Sequence, residues 1–364
     1  MSDNWTESLS ESITTAGTLE KKLKEKGIDL SEREEEQIRE VAKKYPMRIN
    51  SYYFSLIKKK GDEIWNQCVP RIEEITDERG EEDPLHEENG IPCLTHRYPD
   101  RVLITVSNQC GMYCRFCTRK RKVGCENRNP SKDNIEKTID YVKGHKEVRD
   151  VILSGGDPLL LSDERLEWIL KEFRDIKHLD MIRIGTRIPC VLPQRITPEL
   201  CSILKAYNKN PPLYINTHFE HPSEFTEESK LACDMLSDSG IPLGNQSIIL
   251  KDVNSNPETM KELMQGLLRM KVRPYYIYQP DLVRGTYHFI ESVSKGLKII
   301  EGLRGYTSGL AVPHYVIDSP GGEGKVPITP EYCSLNEDGS VNITSYNGQS
   351  SFYPNPEEEK FAKK

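Results

Sequence analysis

The sequence lacks a long apolar run, and no apolar signal segment stands at its amino terminus. Because a membrane-spanning helix needs about 20 mostly apolar residues, we expect no membrane association. Ten cysteines are present, but most are scattered, which is not the pattern of a small secreted module held by disulfides. We therefore expect reduced thiols and a cytoplasmic protein.

An excess of positive charge is also missing. The formal net charge is −7 and the sequence pI is about 5.8, which argues against a broad footprint on nucleic-acid phosphates. The basic run at 119–122 is an exception, and its position directly after three cysteines favours binding of anionic groups of small ligands. The length of 364 residues suits a large α/β barrel with additions.

The strongest signal is the C-x3-C-x2-C motif formed by Cys110, Cys114 and Cys117. A structural zinc site or a ferredoxin-type cluster takes four protein ligands, whereas this motif supplies three. A [4Fe–4S] cluster bound in this way keeps one iron open for a small molecule. The spacing is typical of the radical S-adenosylmethionine (SAM) superfamily, in which that iron chelates SAM. The alternative is a zinc knuckle completed by a distant Cys or His.

Six short β-rich runs alternate with six helical patterns, which predicts a parallel sheet. The predicted strands cover 102–106, 151–153, 181–184, 213–216, 243–250 and 273–278, and the predicted helices cover 131–145, 162–177, 197–208, 224–239, 256–271 and 291–304. Periodicity alone leaves a partial barrel and an open doubly wound sheet as alternatives.

The region before these units reads as charged amphipathic helices, one of them opened by a capping box of Ser31 and Glu34. We predict a helical region at 1–92, a barrel at 93–305 and a carboxy-terminal segment at 306–364.

Chemically unusual residues follow the ends of several predicted strands, which favours the barrel, since barrels collect reactive groups at that edge. They are the cysteine loop, the turn Ser154-Gly155-Gly156-Asp157, and the single residues Arg187, His218 and Asp281. Taken alone, each is equally well explained as an ordinary part of a loop. In the turn, two glycines allow close approach of the backbone, and exposed N–H groups are expected to hold the amino acid end of SAM.

A second glycine-rich segment, 320–324, precedes Lys325. A phosphate-binding P-loop is excluded because the spacing differs and no Ser or Thr follows the lysine. The alternatives are an exposed lysine on a turn and a lysine that forms a Schiff base with pyridoxal 5′-phosphate (PLP).

Taken together, several motifs resemble the lysine 2,3-aminomutase family over residues 30–330. They are His96-Arg97-Tyr98-Pro99-Asp100-Arg101, the cysteine motif with Thr118-Arg119, Leu153 to Asp157, Leu192 to Thr197, Asn216 to Phe219, Val272 to Tyr278, and Pro320-Gly321-Gly322-x-Gly324-Lys325. The resemblance implies a partial (β/α)6 barrel of the radical SAM type that holds a [4Fe–4S] cluster, SAM and PLP.

The resemblance also implies a role for individual residues. Lys325 would carry PLP, whose phosphate would contact Arg97 and Arg101. Arg119 would bind the substrate carboxylate, while Asp281 and Asp318 would bind a distal ammonium group. The SAM and PLP contacts would further include Ser154, Gly155, Gly156, Asp157, His218 and Gln246.

The implied reaction is a radical isomerisation of L-lysine to L-β-lysine, with arginine, ornithine or glutamate as alternative substrates. Two other hypotheses are a radical SAM enzyme without PLP and a non-catalytic metal-binding protein. The implied partners are a small amino acid, an electron donor such as flavodoxin or ferredoxin, and a second copy of the chain.

Two departures from the family pattern stand out. Family members carry a zinc between subunits, but here the helix ligand is Asn256 and the tail has no cysteine, so we expect no zinc bridge. The second departure is local: Gln279-Pro280 and Val283 to Thr286 flank Asp281 and could retune specificity.

Overall fold

The computed structural model describes residues 4–87, 90–125 and 129–355. Six helices come first: α1 (Asn4–Ser10), α2 (Ala16–Glu25), α3 (Glu32–Lys44), α4 (Ser51–Ser55), α5 (Glu63–Cys68) and α6 (Glu73–Thr76). The predicted capping box opens α3, because the backbone N–H of Ser31 donates to Glu34 at 2.8 Å and the N–H of Glu34 donates to the Ser31 hydroxyl at 3.4 Å. Leu19, Leu23 and Ile38 pack these helices into the same core as the sheet.

Nine strands then form one sheet in chain order: β1 (Leu94–Tyr98), β2 (Arg101–Ser107), β3 (Asp150–Gly155), β4 (Met181–Gly185), β5 (Leu213–Thr217), β6 (Leu243–Ile248), β7 (Arg273–Tyr278), β8 (His314–Asp318) and β9 (Lys325–Pro327). Strands β2 to β8 are parallel, and β1 and β9 pair antiparallel at the two edges. The sheet is therefore a half-barrel, and the predicted α/β class is confirmed.

The helices of the barrel region are α7 (Lys132–Gly144), α8 (Asp163–Arg174), α9 (Ile188–Val191), α10 (Pro198–Tyr207), α11 (Glu227–Asp238), α12 (Pro257–Arg269) and α13 (Val293–Leu303). All six predicted strand–helix units are confirmed. The Thr197 and Asn256 side chains cap α10 and α12 by accepting the N–H groups of Leu200 at 3.2 Å and Thr259 at 2.8 Å. Strands β1, β8 and β9 were missed because no helix follows them to mark a repeating unit.

The two faces of the sheet differ in burial, as β6 shows. Leu243, Asn245 and Ser247 are buried on the face towards the helices, whereas Gly244, Gln246 and Ile248 alternate with them and are only partly buried. Because successive side chains point to opposite faces, the second set lines the inner side of the half-barrel. This incompletely filled side can receive ligands.

A second, three-stranded antiparallel sheet follows the half-barrel, with strands β10 (Cys333–Leu335), β11 (Val341–Thr344) and β12 (Ser350–Tyr353). Strands β8 and β9 lie within the segment predicted at 306–364, yet they extend the main sheet; the domain boundaries stay predictions. Residues 356–359 of the tail lie outside the described residues. Among the described helices, none has the length and apolar character that crossing a membrane requires.

Candidate active site

The carboxyl ends of the parallel strands share one edge of the sheet, and most predicted site residues lie there. The cysteine loop follows β2, the glycine turn ends β3, Arg187 follows β4, His218 follows β5, Asp281 follows β7 and Asp318 ends β8. Gln246 instead lies inside β6, on the inner face of the half-barrel, opposite Tyr276 of β7. Arg97 and Arg101 come from the edge strand β1 and the start of β2.

The cysteine loop is anchored to the helical region by backbone hydrogen bonds. The N–H groups of Tyr113 and Arg115 donate to the carbonyls of Arg48 and Gln67, each at 2.9 Å. Burial is the main cause that raises the pKa of the thiols of Cys110, Cys114 and Cys117, and neighbouring thiolate charge raises it further for Cys110 and Cys117. Such thiols need a nearby positive charge to ionise, which bound iron supplies. The loop therefore fits an iron–sulfur cluster.

Arg187 brings a fixed positive charge to this loop. Its Nη1 donates to the sulfur of Cys114 at 2.8 Å, its Nε donates to the carbonyl of His218 at 3.0 Å, and its Nη2 donates to Glu224 at 2.8 Å. In the described residues, no three His, Cys, Asp or Glu side chains are grouped to hold one metal ion. In a four-iron cluster, by contrast, each thiolate binds a different iron, so the ligands need not converge on one point.

The Gly155-Gly156 turn packs directly on the cysteine loop. The N–H of Gly156 donates to the Ser107 carbonyl at 2.5 Å, and the N–H of Asp157 donates to the Gln109 carbonyl at 2.7 Å. A Cβ at 155 would lie 2.3 Å from the first oxygen, and one at 156 would lie 2.4 Å from the second. These two N–H groups are thus paired within the chain, and a SAM contact of this turn stays a prediction. The glycines let the two loops come together.

The Asp157 carboxylate is buried and holds the neighbouring loop in place. It accepts the Thr186 hydroxyl at 2.6 Å and the N–H groups of Arg187 at 2.7 Å and Leu159 at 3.1 Å. Burial raises its pKa to about 6, although these donors act in the opposite direction. Asp157 thus positions Arg187, and its predicted SAM contact stays a prediction.

His218 and Phe116 stand next to each other beside the cysteines. The imidazole of His218 pairs with the buried carboxylate of Glu220, and its ring centre lies 6.0 Å from that of Phe116. Burial raises the pKa of Glu220. This places an imidazole at the strand end next to Arg187, which contacts Cys114, and the SAM or PLP contact of His218 stays a prediction.

Lys325 is held at the inner side of the half-barrel by β9, which pairs it with Asp318 of β8. Its ammonium Nζ lies 2.9 and 3.1 Å from the two carboxylate oxygens of Asp318 and 5.2 Å from the ring centre of Tyr278. Its backbone N–H donates to the Tyr98 hydroxyl at 2.8 Å. The lysine is only partly buried, so its amine can react with an aldehyde such as PLP.

Two arginines approach Lys325 through the β1 edge. The Arg101 guanidinium lies 4.4 Å from the ring centre of Tyr98, and Arg97 Nη2 donates to the Leu85 carbonyl at 2.5 Å. A Cβ at Gly322 would stand 2.9 Å from Arg97 Nη2, so this arginine touches the glycine turn ahead of the lysine. Two cations at this edge would fit the phosphate group of a PLP bound to Lys325.

The aspartates predicted to bind a distal ammonium group lie near each other. Burial, and next the charge of Asp318, raises the pKa of Asp281 to about 7, while Lys325 lowers it. A cation between two buried carboxylates would relieve their repulsion. At present the ammonium of Lys325 provides that charge to Asp318.

Arg119 already has a carboxylate partner from this chain. Its Nε and Nη2 donate to the two oxygens of Glu87 at 2.8 and 2.7 Å, and its Nη1 donates to the Ser154 hydroxyl at 3.2 Å. The next two basic residues are also paired within the chain, Lys120 with Glu74 and Arg121 with Asp83. The basic run is therefore largely neutralised internally.

Three residues that shape the site were not singled out from the sequence: Glu87, Tyr98 and Tyr278. Tyr98 belongs to a quoted motif, and Tyr278 ends a predicted strand, so both carried a signal. Glu87 carried none, because it stands in an acidic loop that resembles a solvated one.

Gln279, one of the residues near Asp281 that differ from the family pattern, makes hydrogen bonds within the fold. The Gln279 amide donates to the Glu291 carbonyl at 2.6 Å and accepts the Tyr315 hydroxyl at 2.7 Å. It is thereby tied to the packing of β7 against β8. Asn256 caps α12, as described above.

A buried charge network fixes the cysteine loop to α6. Glu74 accepts Nη2 of Arg115 at 2.6 Å and Nζ of Lys120 at 2.8 Å. Burial by itself would raise the pKa of Glu74, but the charges of Arg115 and Lys120 hold it at about 2. Burial lowers the pKa of Lys120 to about 8. The network spans both sides of Cys117.

Glu74→Gln should destabilise the protein by about 3–5 kcal/mol, since it leaves two buried cations without their counter-charge. The measurement is the urea dependence of unfolding at neutral pH. The control is Glu73→Gln, because Glu73 is 40% exposed and pairs with Arg71 near the surface; its loss should be about 0–1 kcal/mol. Equal losses for the two variants would contradict a special role of the network.

Two family models match this sequence. Residues 104–267 match the model described as Radical SAM superfamily, and residues 300–363 match the model described as Lysine-2,3-aminomutase.

Curated relatives match over most of the chain. The chain is 51% identical over 363 residues to L-lysine 2,3-aminomutase of Methanococcus maripaludis, which covers 97% of this chain and 82% of that protein. It is 48% identical to L-lysine 2,3-aminomutase of Clostridium subterminale, over 91% of this chain and 80% of that protein. Glutamate 2,3-aminomutase of Clostridioides difficile is 44% identical, over 95% of this chain and 81% of that protein.

Proposed function

Because this chain belongs to the lysine 2,3-aminomutase family of radical SAM enzymes, we propose that it moves the amino group of L-lysine from C2 to C3 and yields L-β-lysine. The observation that carries the choice of substrate is the pair Asp281 and Asp318 beside Lys325. A substrate with a distal cation would neutralise both carboxylates.

Each end of such a substrate has a residue of opposite charge. Arg119 would bind the α-carboxylate through a planar guanidinium, and the two aspartates would bind the ε-ammonium. Arginine and ornithine carry a distal cation too and are the next candidates. Glutamate is the substrate named for one relative, but here its distal carboxylate would face two others.

In this proposal the cofactors supply the reactive groups, and the protein binds and orients them. When bound, the cluster and SAM supply a carbon radical after one-electron reduction, and PLP supplies the group on which the nitrogen migrates. Cys110, Cys114 and Cys117 would hold the cluster, and Lys325 would hold PLP with Arg97 and Arg101 at its phosphate. The SAM contacts proposed are Ser154, Gly155, Gly156, Asp157, His218 and Gln246.

The remaining residues orient these groups. Tyr98 and Tyr278 hold Lys325 on the inner face, and Asp157 with Glu224 holds Arg187 against Cys114. Such fixed geometry matters because a radical must meet one C–H bond and no other.

An external electron donor and a second copy of the chain complete this proposal. A flavodoxin or ferredoxin would supply the electron. A zinc between subunits is not expected, because the side chain at 256 is an asparagine that caps α12. All ten cysteines are free thiols, which supports a reducing, cytoplasmic setting.

The test is an anaerobic assay with SAM, PLP and a reductant against lysine, arginine, ornithine, glutamate and alanine. Lysine should be the best substrate. Asp281→Asn and Asp318→Asn should each lower kcat/KM for lysine by roughly 10²- to 10⁴-fold, because the ammonium loses a buried charged partner.

Glu323→Gln serves as the matched control, since Glu323 is exposed on the turn before Lys325 and should keep activity within twofold. Faster turnover of glutamate or alanine than of every cationic amino acid would refute the substrate assignment. So would lysine turnover that is indifferent to both aspartate variants.

A further inference from the structure

The segment Gly80–Glu87, here called the strap, contacts the loop of Asp281, the turn before Lys325, strand β1 and the basic run after the cysteines. At its start, the N–H of Glu81 donates to the Leu282 carbonyl at 3.0 Å, and the N–H of Arg284 donates to the Glu81 carbonyl at 2.8 Å. These bonds fix the strap to the loop that carries Asp281. The strap is thus attached by its backbone at this end.

The middle of the strap lies on the turn before Lys325. The Pro84 carbonyl accepts the N–H of Gly321 at 3.0 Å, and the Leu85 carbonyl accepts Arg97 Nη2 at 2.5 Å. A Cβ at Gly322 would stand 2.5 Å from the Leu85 oxygen, so this turn must be glycine for the strap to pack there. The strap therefore covers the residues proposed to hold PLP.

The end of the strap is held mainly by charge. Asp83 pairs with Arg121 at 2.9 Å, and the Glu87 carboxylate makes the two-pronged contact with Arg119. Both Glu87 and Arg119 side chains are only 17% exposed, so solvent does little to weaken this pair. The third contact of Arg119 is the Ser154 hydroxyl.

Glu87 therefore occupies the guanidinium edge that a substrate carboxylate needs. Two carboxylates cannot both bind the Nε–Nη2 edge of one arginine. At the opposite end of the site, the ammonium of Lys325 likewise forms an ion pair with Asp318. Before PLP and substrate bind, both ends of the site are neutralised by groups of this chain that have the same charges as the two ends of an amino acid such as lysine.

Resting on the proposed function, we propose that Glu87 is the resident counter-ion of Arg119 and that the α-carboxylate of the substrate displaces it. Exchange of one carboxylate for another keeps Arg119 paired throughout, so its buried charge is never left alone. The cost is that the substrate must compete with Glu87, which lowers its apparent affinity. The Glu87 carbonyl also accepts the Thr95 hydroxyl at 3.0 Å, so the exchange releases the Glu87 side chain and leaves the strap attached.

The experiment measures the Kd of L-lysine for the holoenzyme with PLP and cluster but without SAM, from the change in PLP absorbance. Glu87→Gln should bind lysine about tenfold more tightly than the unmodified protein, since a neutral amide competes less well for a guanidinium. Glu82→Gln, which neutralises an exposed carboxylate of the same strap, should leave the Kd within twofold. Glu87→Asp, which keeps the charge but shortens the reach, should fall between the two.

Cadaverine provides a second measurement because it has both amines of lysine and no carboxylate. Its Kd should not change in Glu87→Gln. The proposed exchange of carboxylates is refuted if Glu87→Gln leaves the Kd for lysine unchanged or raises it. It is also refuted if the variant lowers the Kd for cadaverine as much as the Kd for lysine. If lysine leaves the PLP spectrum of the unmodified protein unaltered, both the proposed function and this inference fall; lysine binding without a gain in the variant removes the inference alone.

Discussion

Alanine at Cys110, Cys114 or Cys117 should abolish the reductive cleavage of SAM, with a loss of at least about 10³-fold in the yield of 5′-deoxyadenosine. The three cysteines are partly buried, and burial raises the pKa of each thiol. A bound cluster would supply the positive charge that keeps these thiols ionised, and loss of one cysteine would leave a second iron without a protein ligand. The measurement combines the iron and sulfide content with the 5′-deoxyadenosine formed after anaerobic reconstitution and reduction.

Cys125→Ala is the control for this experiment. Cys125 lies eight positions after Cys117 on the same stretch of chain and is a free, partly buried thiol outside the motif. Its variant should keep the iron content and the cleavage of SAM. The cluster assignment is wrong if a triple alanine variant at 110, 114 and 117 still makes 5′-deoxyadenosine.

Reduction of the PLP-loaded protein with borohydride should place a pyridoxyl group on Lys325, and Lys325→Ala should lose aminomutase activity by at least about 10³-fold. The amine is partly exposed, faces the inner side of the half-barrel and is held by Asp318 and Tyr278. The measurements are peptide mass mapping and the absorbance of the bound PLP. The iron content of Lys325→Ala should be unchanged, which separates loss of PLP from loss of the cluster.

Lys295→Ala is the matched control, because the ammonium of Lys295 pairs with Glu291 rather than with a proposed site residue. It should retain the PLP absorbance and the activity. A pyridoxyl group found on another lysine would move the PLP site, and its absence from all peptides would remove PLP from the proposed function.

The proposed site has two groups of residues, which lie on different strands of the half-barrel. The cysteines, Arg187 and His218 stand at the carboxyl ends of β2, β4 and β5, while Lys325 and Asp318 stand on the last two strands. Ser154 lies near the carboxyl end of β3, and its hydroxyl accepts Nη1 of Arg119.

The sequence alone determined the class of fold and the cysteine motif. Strands β2 to β7 and the helices between them follow from local periodicity, and Thr197 and Asn256 mark helix starts by capping within three residues. Such signals depend on neighbours along the chain, so no tertiary information is needed to find them. The cysteine motif is equally local, because three cysteines within eight residues necessarily lie in the same loop.

Only the tertiary structure decided which charges meet. Glu87 and Arg119 are separated by 32 residues, and Arg187 and Cys114 by 73, and neither pair has a spacing that a helix or strand would reveal. The N–H groups of Gly156 and Asp157 belong to the turn predicted to contact SAM, and the packing of two loops gives both of them carbonyl partners. The physical reason is that a buried charge or N–H group must find a partner, and the topology of the half-barrel determines which partners come within reach.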